Sequence, residues 1–303
     1  MSKTTKSPKK VAAAAYRIAR ETLPEHFSRY SPKKFTQPQL FVCLVLKTFF
    51  RTDYRGIVQI LSDCPDLCKI FDLQTVPHFT TLHKASRRLM AQQTAKKIIA
   101  ATVKKVIGKS KTVKLAAVDS TGLQTGHISP YFLKRRSNSK MRKWPKMAII
   151  SDISNHIILA VHSERGPKSD SGHFKKILDK LPADIKVEHL LADAGYDSEK
   201  NHQYAREILG LQTTIPARIG RRTNKPLKGK YRRLMKMGFN REKYGQRWQV
   251  ETVMSMIKRN LGHCLSTKTY WSQNREMMLL ALTHNIMVIL FVKELFYRAI
   301  IDN

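Results

Sequence analysis

The chain has few acidic residues, and this shortage narrows the classes of protein to which it can belong. Its 303 residues include 22 Asp and Glu against 56 Lys and Arg, which gives a formal net charge of +34. Such a charge destabilises a compact fold by self-repulsion unless a polyanion relieves it, and the excess favours nucleic acid as that polyanion. Because the bases spread over several segments rather than one amphipathic helix, an anionic membrane surface is the less favoured partner.

Cysteines are also scarce, and their spacing argues against two kinds of small scaffold. No C-x2-C pair occurs, which argues against a zinc knuckle, and nothing indicates a disulfide framework, so a reducing cytosol is expected. The 11 histidines show no spacing that is typical of metal ligands. The 4 cysteines are Cys43, Cys64, Cys68 and Cys264.

Long hydrophobic runs are missing as well. The N-terminal segment is basic and lacks the apolar core of a signal peptide. The most apolar run, residues 277–292, is sixteen residues long and includes His284 and Asn285. A transmembrane helix needs about twenty apolar residues. We therefore expect this run to form a buried core helix, and we expect no membrane association.

The first third of the chain predicts helices. The sequence predicts a disordered basic tail at residues 1–10 and an all-helical DNA-binding domain at residues 11–108. Thr36–Gln39 fits a capping box ahead of an apolar run. Thr80 or the following threonine is predicted to cap a later helix that exposes several bases. Three short helices and this basic one resemble a helix-turn-helix arrangement, which predicts DNA contacts from Lys84, Arg87 and Arg88.

After about residue 108 the pattern changes to strands. Val113–Asp119 and Val187–Asp193 are apolar runs that each end in an acid. A hairpin is predicted from residues 147–153 and 157–162, with Ser154 and Asn155 at the turn. The predicted order is strand, strand, strand, helix, strand, helix, strand, helix. If the two strands that end in Asp are adjacent, their carboxylates meet at one edge of the sheet. Alone, either Asp is better explained as a turn residue or a helix cap.

The stretch YGQRWQVETVMSMIK, residues 244–258, carries the most specific motif of the chain. It places Arg247, Glu251 and Lys258 at spacings of four and seven, which share one face of a helix. One acid flanked by two bases makes sense if the acid holds a metal ion and the bases hold phosphate. The alternative is that the bases only neutralise Glu251 in a structural ion pair.

The pattern Y-x2-R-x3-E-x6-K resembles the signature of DDE transposases from bacterial and archaeal insertion sequences, and all four positions match. The segments VDST around Asp119 and ADAGYDS around Asp193 resemble the same family. The resemblance implies an α/β fold, in which a ribonuclease H-like catalytic domain over residues 109–303, a mixed sheet flanked by helices, follows the helical domain. It also implies that the catalytic metal ligands are Asp119, Asp193 and Glu251, and that the DNA-phosphate contacts are Tyr244, Arg247 and Lys258.

The implied cofactor is Mg2+, most simply two ions, for which Mn2+ can substitute. The implied function is that of a transposase, which nicks the ends of an insertion sequence and transfers the freed strand. The expected partners are double-stranded DNA, as terminal inverted repeats and as target, and a second copy of the chain in a homodimer on that DNA. The expected location is the prokaryotic cytoplasm, at the nucleoid. Two alternatives stay open: a nuclease of the same fold, and a transposase-derived DNA-binding protein without catalysis.

Two runs inside the second predicted domain are dense in base, at residues 133–146 and 218–243. We predict that both are loops and that both contact DNA. The individual contacts predicted there are Arg135, Arg136, Arg142, Lys143, Arg221 and Arg222. Trp144 fits base stacking and packing equally well, whereas Trp248 is expected to pack in the core.

Overall fold

The computed structural model describes residues 4–125, 144–166, 168–218 and 227–301. They form two compact units. One joins the helices up to Val106 with the chain from Met256 onward, and the other runs from Ile107 to Ser255. The sequence predicted a domain boundary near residue 108, with residues 109–303 in one domain. That division stays a prediction about independent folding, which compactness alone does not test.

The described residues form helices and short strands. The helices are α1 (Pro8–Thr22), α2 (Gln37–Phe49), α3 (Tyr54–Asp63), α4 (Pro65–Lys69), α5 (Phe79–Leu89), α6 (Gln92–Ile107), α7 (Phe174–Leu178), α8 (Glu199–Gln203), α9 (Lys230–Met237), α10 (Arg241–Gly245), α11 (Trp248–Leu261) and α12 (Tyr270–Ile301). The strands are β1 (Thr112–Val113), β2 (Ala116–Gly122), β3 (Gln124–Thr125), β4 (Pro145–Asp152), β5 (Ile158–Arg165), β6 (Lys186–Val187), β7 (His189–Ala192), β8 (Gln212–Thr214) and β9 (Cys264–Leu265). Short 3-10 turns span Asp170–His173 and Ala194–Tyr196, and a π-helical turn spans Tyr204–Ile208.

Side-chain caps explain where the first helices begin. The predicted capping box at α2 is confirmed, because Thr36 accepts from the Gln39 N–H and Gln39 accepts from the Thr36 N–H. Helix α1 begins at Pro8, inside the predicted tail of residues 1–10. The cause is local: the Ser7 hydroxyl accepts from the Lys10 N–H, and proline suits the first position of a helix.

The predicted cap of α5 is wrong by two residues. His78 caps this helix, and its Nδ1 accepts from the N–H of Thr80. A neutral imidazole nitrogen is an acceptor like the oxygens that usually cap helices, but the usual cap preferences do not include histidine. The helix also ends at Leu89, and a separate helix, α6, begins at Gln92.

The core of the first unit forms around α2. Every side chain from Leu40 to Leu46 is buried, and α2 packs against α1, α5 and α12. The apolar run at residues 277–292 lies within α12, and its residues 279–289 are buried throughout, which confirms the predicted core helix. Asn285 within it donates to the Thr102 hydroxyl at 2.9 Å. Within the described residues, no helix combines the length and apolarity that a membrane crossing requires.

A five-stranded mixed sheet forms the centre of the second unit, in the order β5-β4-β2-β7-β8. Strand β4 is antiparallel to both β2 and β5, whereas β7 is parallel to β2 and β8 is parallel to β7. The predicted hairpin is therefore confirmed as β4 and β5. The mixed α/β character is confirmed too, since the predicted alternation of strands and helices follows this hairpin.

Three predicted elements differ in the structure from their predicted extent or type. Strand β2 continues three residues beyond Asp119, because antiparallel pairing with β4 extends to Gly122. The predicted basic loop at residues 218–243 is described at residue 218 and over residues 227–243, and this part contains α9 and the start of α10, so it is partly helical. The motif at residues 244–258 is divided between α10 and α11, with a turn at Gln246 and Arg247. Glycine has a low helix propensity, and Gly245 ends α10.

Candidate active site

Two carboxylates stand side by side at one edge of the sheet. The parallel pairing of β2 and β7 ends with Val118 opposite Ala192, so Asp119 and Asp193 follow at the next position of each strand. The two acids therefore lie in the same register, where the pairing between β2 and β7 ends. Asp193 is exposed, and the Asp119 side chain is 25% exposed. The geometric condition for a shared carboxylate edge is thus present in the structure.

Glu251 is linked to this edge through Arg247. The Arg247 guanidinium lies 2.6 Å from Glu251 Oε1 and 3.7 Å from Asp119 Oδ2. The contact to Glu251 joins residues four apart, as the helical spacing predicted. In this structure the cation of Arg247 stands between two of the three predicted metal ligands.

Two hydrogen bonds hold the helices of the motif against the sheet. His156, in the turn between β4 and β5, contacts Gln249 Oε1 through its Nε2 at 2.7 Å. Lys243 of α10 donates to His189 Nδ1 of β7 at 3.0 Å. Val250 is fully buried on the same helix as Glu251. Together these contacts fix the position from which Glu251 approaches the strand ends.

The electrostatic surroundings of Asp119 favour a bound cation. Burial raises the pKa of Asp119, and the nearby carboxylates of Glu251 and Asp193 raise it further. The Ser120 N–H, which donates at 2.7 Å, and the Arg247 guanidinium oppose this rise. Tyr244 lies close to the same acids: burial raises its pKa, Asp193 and Asp119 add to the rise, and Arg247 opposes it. A cation at this edge would relieve the mutual repulsion of the acids.

A fourth carboxylate, Asp170, supports the strand end, and the sequence did not single it out as a site residue. It accepts from the Ser120 hydroxyl at 2.5 Å and pairs with Lys146 at 2.6 Å. Tyr196, packed beside it, is 1% exposed, and burial raises its pKa well above the ordinary value, with Asp170 as the second cause. The sequence of the polar loop that contains Asp170 did not indicate the contact with Ser120, because this contact depends on how the loop folds back onto β2.

The basic segment after residue 218 is anchored by two acids of the preceding helix region. The side chain of Asp197 is fully buried and pairs with Arg232 at 2.8 Å. Glu199 accepts from the backbone N–H groups of Tyr231 and Arg232 at the start of α9. The predicted DNA contacts in the two basic runs all lie outside the described residues: Arg135, Arg136, Arg142, Lys143, Arg221 and Arg222.

The predicted bases of α5 belong to the first unit. Lys84 and Arg87 are exposed. Arg88 is half-buried, with its guanidinium 5.3 Å from the centre of the Phe27 ring. Such a contact is a cation–π interaction. Two of the three bases are therefore accessible for a partner, and the third also packs against an aromatic ring.

The two tryptophans near the basic runs differ from each other. Trp248 is 54% exposed, so the prediction of core packing is wrong. Its neighbour Val250 takes the buried face of α11 instead. Trp144 is 40% exposed, and its ring covers Gly122 and Gly166, where an added Cβ at Gly166 would lie only 2.6 Å from the ring. Packing over glycine therefore accounts for one face of Trp144.

The donor set at the strand edge fits a hard divalent cation. Its members are carboxylates alone, which Mg2+ and Mn2+ accept together with water. The guanidinium of Arg247 stands in for such a cation between Asp119 and Glu251. Among the described residues, the group whose ligand atoms all lie within 4.8 Å of one another is a different one, His162, Glu164 and His173. The three acids would have to approach one another to hold an ion in common.

Comparison with known proteins gives one match to a family. The family model described as the transposase DDE domain matches residues 113–286, more than half of the chain. No curated protein matches the sequence. Among solved structures, a chain in the cryo-EM structure of a piggyBac transposase synaptic complex with hairpin DNA is similar, with a TM-score of 0.43 and 11% identity. The alignment covers 95% of this chain and 76% of that one.

Proposed function

The chain belongs to the DDE transposase family, and from this premise we propose that it is the transposase of a prokaryotic insertion sequence. It binds the ends of its element as a homodimer, nicks them, and joins the freed 3′-hydroxyl to target DNA. The catalytic part has the ribonuclease H-like arrangement, and the helical N-terminal part recognises the element end.

One observation carries this proposal: Asp119 and Asp193 directly follow the last paired residues of the parallel strands β2 and β7. These two acids, with Glu251 joined to Asp119 through Arg247, give the three carboxylates that phosphoryl transfer on DNA needs. An isolated acid at a strand end is usually a turn residue. Two in register beside a third acid from a helix require another explanation, and metal binding provides it.

The residues that would hold the metal are Asp119, Asp193 and Glu251. Bound there, two Mg2+ ions supply activation of the attacking oxygen and charge stabilisation at the leaving oxygen of an in-line displacement. The protein's own contribution is to fix the carboxylates: β2 and β7 hold the two aspartates, and α11 brings Glu251. Ser120 orients Asp119 by donating its N–H at 2.7 Å to Oδ1.

The accessory residues of the motif position the DNA. Arg247 has a planar fork that pairs with carboxylates here and pairs equally well with phosphate oxygens. Tyr244 lies near the same acids and offers a hydroxyl to a phosphate or a sugar. Lys258 is half-buried and lies seven residues after Glu251 on α11, so it extends along the same side of the helix. Tyr244 and Arg247 thus lie near the carboxylates, and all three residues are proposed to contact DNA phosphates.

A strand-transfer assay tests the proposal. Purified protein is mixed with Mg2+, a supercoiled target plasmid and short linear DNA that carries the element's own ends. Joined products are the expected result. Nicking without joining would assign the chain to the nuclease alternative. Binding without nicking or joining would assign it to the inactive alternative.

The variant Asp193→Asn is the control in this assay, with Glu242→Gln as its matched partner. Asp193 lies at the strand edge, whereas Glu242 is an exposed acid of α10. We expect the first change to remove joining and the second to leave it in place. Equal loss in both variants would indicate a general effect of lost acidic charge and would contradict the assigned site.

A further inference from the structure

A group of nitrogen and oxygen ligands lies in the second unit, apart from the carboxylate edge. His162 and Glu164 alternate on β5 and so share one face of the strand, and His173 ends the 3-10 turn before α7. The ligand atoms of these three side chains all lie within 4.8 Å of one another. All three side chains are largely enclosed, at 13%, 10% and 5% exposure respectively.

We propose that His162, Glu164 and His173 bind one Zn2+ or a similar borderline transition-metal ion. Two imidazoles and one carboxylate are a common three-residue ligand set for zinc, with a fourth position left for water. Zinc bonds of about 2.0 Å place neighbouring tetrahedral ligands roughly 3.3 Å apart. His162 Nε2 lies 3.3 Å from Glu164 Oε2, and His173 Nδ1 contacts the same oxygen.

The state of the imidazoles supports this assignment. Burial lowers the pKa of His162 to about 4, and burial also lowers the pKa of His173. Within the described chain, neither ring nitrogen of His173 makes a hydrogen bond of good geometry, although the residue is only 4% exposed. A metal ion would satisfy a buried polar group that is otherwise costly.

Glu164 is held so that one oxygen faces the imidazoles. Lys168 contacts Oε1, which leaves Oε2 towards His162 and His173. Burial alone would raise the pKa of Glu164, and the hydrogen bond from Lys168 is the largest of the causes that lower it overall. Partners of this kind orient ligands in known metal sites.

The sheet separates this group from the carboxylate edge. His162 pairs with Ala148, which pairs with Ser120, so these three residues point to one face of the sheet. Asp119 precedes Ser120 and therefore points to the opposite face. One strand, β4, lies between β5 and β2, and the two inter-strand spacings add a separation of roughly 10 Å. An ion at the histidine group would join β5 to the turn that begins α7, and its expected role is structural.

Cobalt binding tests the assignment, because Co2+ occupies zinc sites and absorbs visible light there. The full-length protein is stripped with a chelator, dialysed into millimolar Mg2+, and titrated with Co2+ and then with Zn2+. Magnesium fills oxygen sites and competes poorly for imidazole. We expect intense absorption typical of four-coordinate Co2+, saturating at one ion per chain and displaced by Zn2+.

Three variants and two controls decide the ligands. His162→Ala, His173→Ala and Glu164→Gln should each weaken Co2+ binding by at least about 100-fold, the upper range for losses at outer-shell partners. Glu242→Gln, at an exposed acid of α10, and His83→Ala, at an exposed histidine, should bind Co2+ as the wild type does. Glu164→Gln keeps the side-chain volume, so it decides the question if a histidine variant does not fold. Two results would overturn the assignment: no such absorption in the wild-type protein, or a Co2+ affinity of Glu164→Gln equal to that of the wild type.

Discussion

The carboxylate edge and the histidine group share one sheet, yet they differ in exposure and in ligand chemistry. At the edge, Glu251 is 54% exposed and all the ligands are oxygen atoms. In the histidine group, the His173 side chain is 5% exposed and two of the three ligands are nitrogen. The first lies at strand ends, where a large substrate can approach. The second is enclosed between β5 and the turn before α7.

The difference shows how position on a sheet selects the use of a charged cluster. At an open edge, a cation can be exchanged and DNA phosphate can replace protein ligands, which suits catalysis with weakly held Mg2+. In an enclosed group, a bound ion stays in place and contributes to stability. The proposed roles follow from this contrast, and the predictions below test it from the largest effect to the smallest.

Loss of an edge carboxylate should have the largest effect. Asp119→Asn, Asp193→Asn and Glu251→Gln should each lower nicking and joining by on the order of 1000-fold, because a neutral ligand weakens the stabilisation of charge by metal. DNA affinity should change by less than about threefold, since Lys and Arg supply it. Gel-shift and strand-transfer assays measure the two quantities. Retention of more than a few per cent of the activity would remove that residue from the site.

Changes at Arg247 should have the next largest effect and distinguish its two possible roles. Arg247→Lys should lower strand transfer by about 10-fold to 100-fold, because lysine cannot form the paired contact to phosphate. Lys258→Ala should cost more in strand transfer than in DNA binding, since one phosphate contact among many adds little affinity. Arg241→Lys, at an exposed arginine of α10, is the matched control.

Melting curves complete this comparison. If Arg247 serves only its ion pair with Glu251, Arg247→Ala should lower the melting temperature while Arg247→Lys leaves strand transfer intact. That result would contradict a phosphate contact and support the structural alternative.

The packing at the ends of β2 and β5 gives a stability prediction of intermediate size. Gly166→Ala should destabilise the fold by about 1–3 kcal/mol, because the new Cβ would lie 2.6 Å from the Trp144 ring. Gly172→Ala is the matched control, since nothing lies within 4 Å of a Cβ there. Chemical denaturation of both variants measures the free energy of unfolding. Equal changes in the two variants would show that the ring can move aside.

The bases of α5 should give the smallest effect and test where recognition resides. Lys84→Ala with Arg87→Ala should lower the preference for the element's own end by about threefold to tenfold and reduce the slope of affinity against salt concentration by roughly two. Nicking of an end that is already bound should be unchanged. Footprints on the element end that match the wild type would place recognition elsewhere in the chain.

The sequence predicted the edge because its signals are local. Asp119 and Asp193 each end an apolar run, and Glu251 lies in a specific motif, so three short stretches were sufficient. The hairpin of β4 and β5 was also predicted, since two strand-like runs joined by Ser154 and Asn155 are a local pattern. The pairing of the buried Asp197 side chain with Arg232 was not predicted, because the two residues are far apart in the sequence.

The histidine group and Asp170 were not predicted, for a physical reason. His162 and Glu164 lie two residues apart, but His173 reaches them only after the chain has turned back onto the sheet. The strand register and the path of the loop create this contact, and the spacing of the histidines in the sequence predicts neither. The same holds for Asp170, which meets Ser120 across fifty positions of the chain. The H-x-E pair at residues 162–164 was the one local signal available.

Metal rescue at Asp119 is the measurement that tests the central claim most directly. Strand transfer by wild-type protein should proceed in Mg2+ and in Mn2+, whereas Ca2+ should support assembly on DNA with little cleavage. Asp119→Cys should be inactive in Mg2+ and regain activity in Mn2+, because a thiolate binds the softer ion better. Full wild-type activity in a chelator, or equal activity of Asp119→Cys in Mg2+ and Mn2+, would contradict a metal held by Asp119.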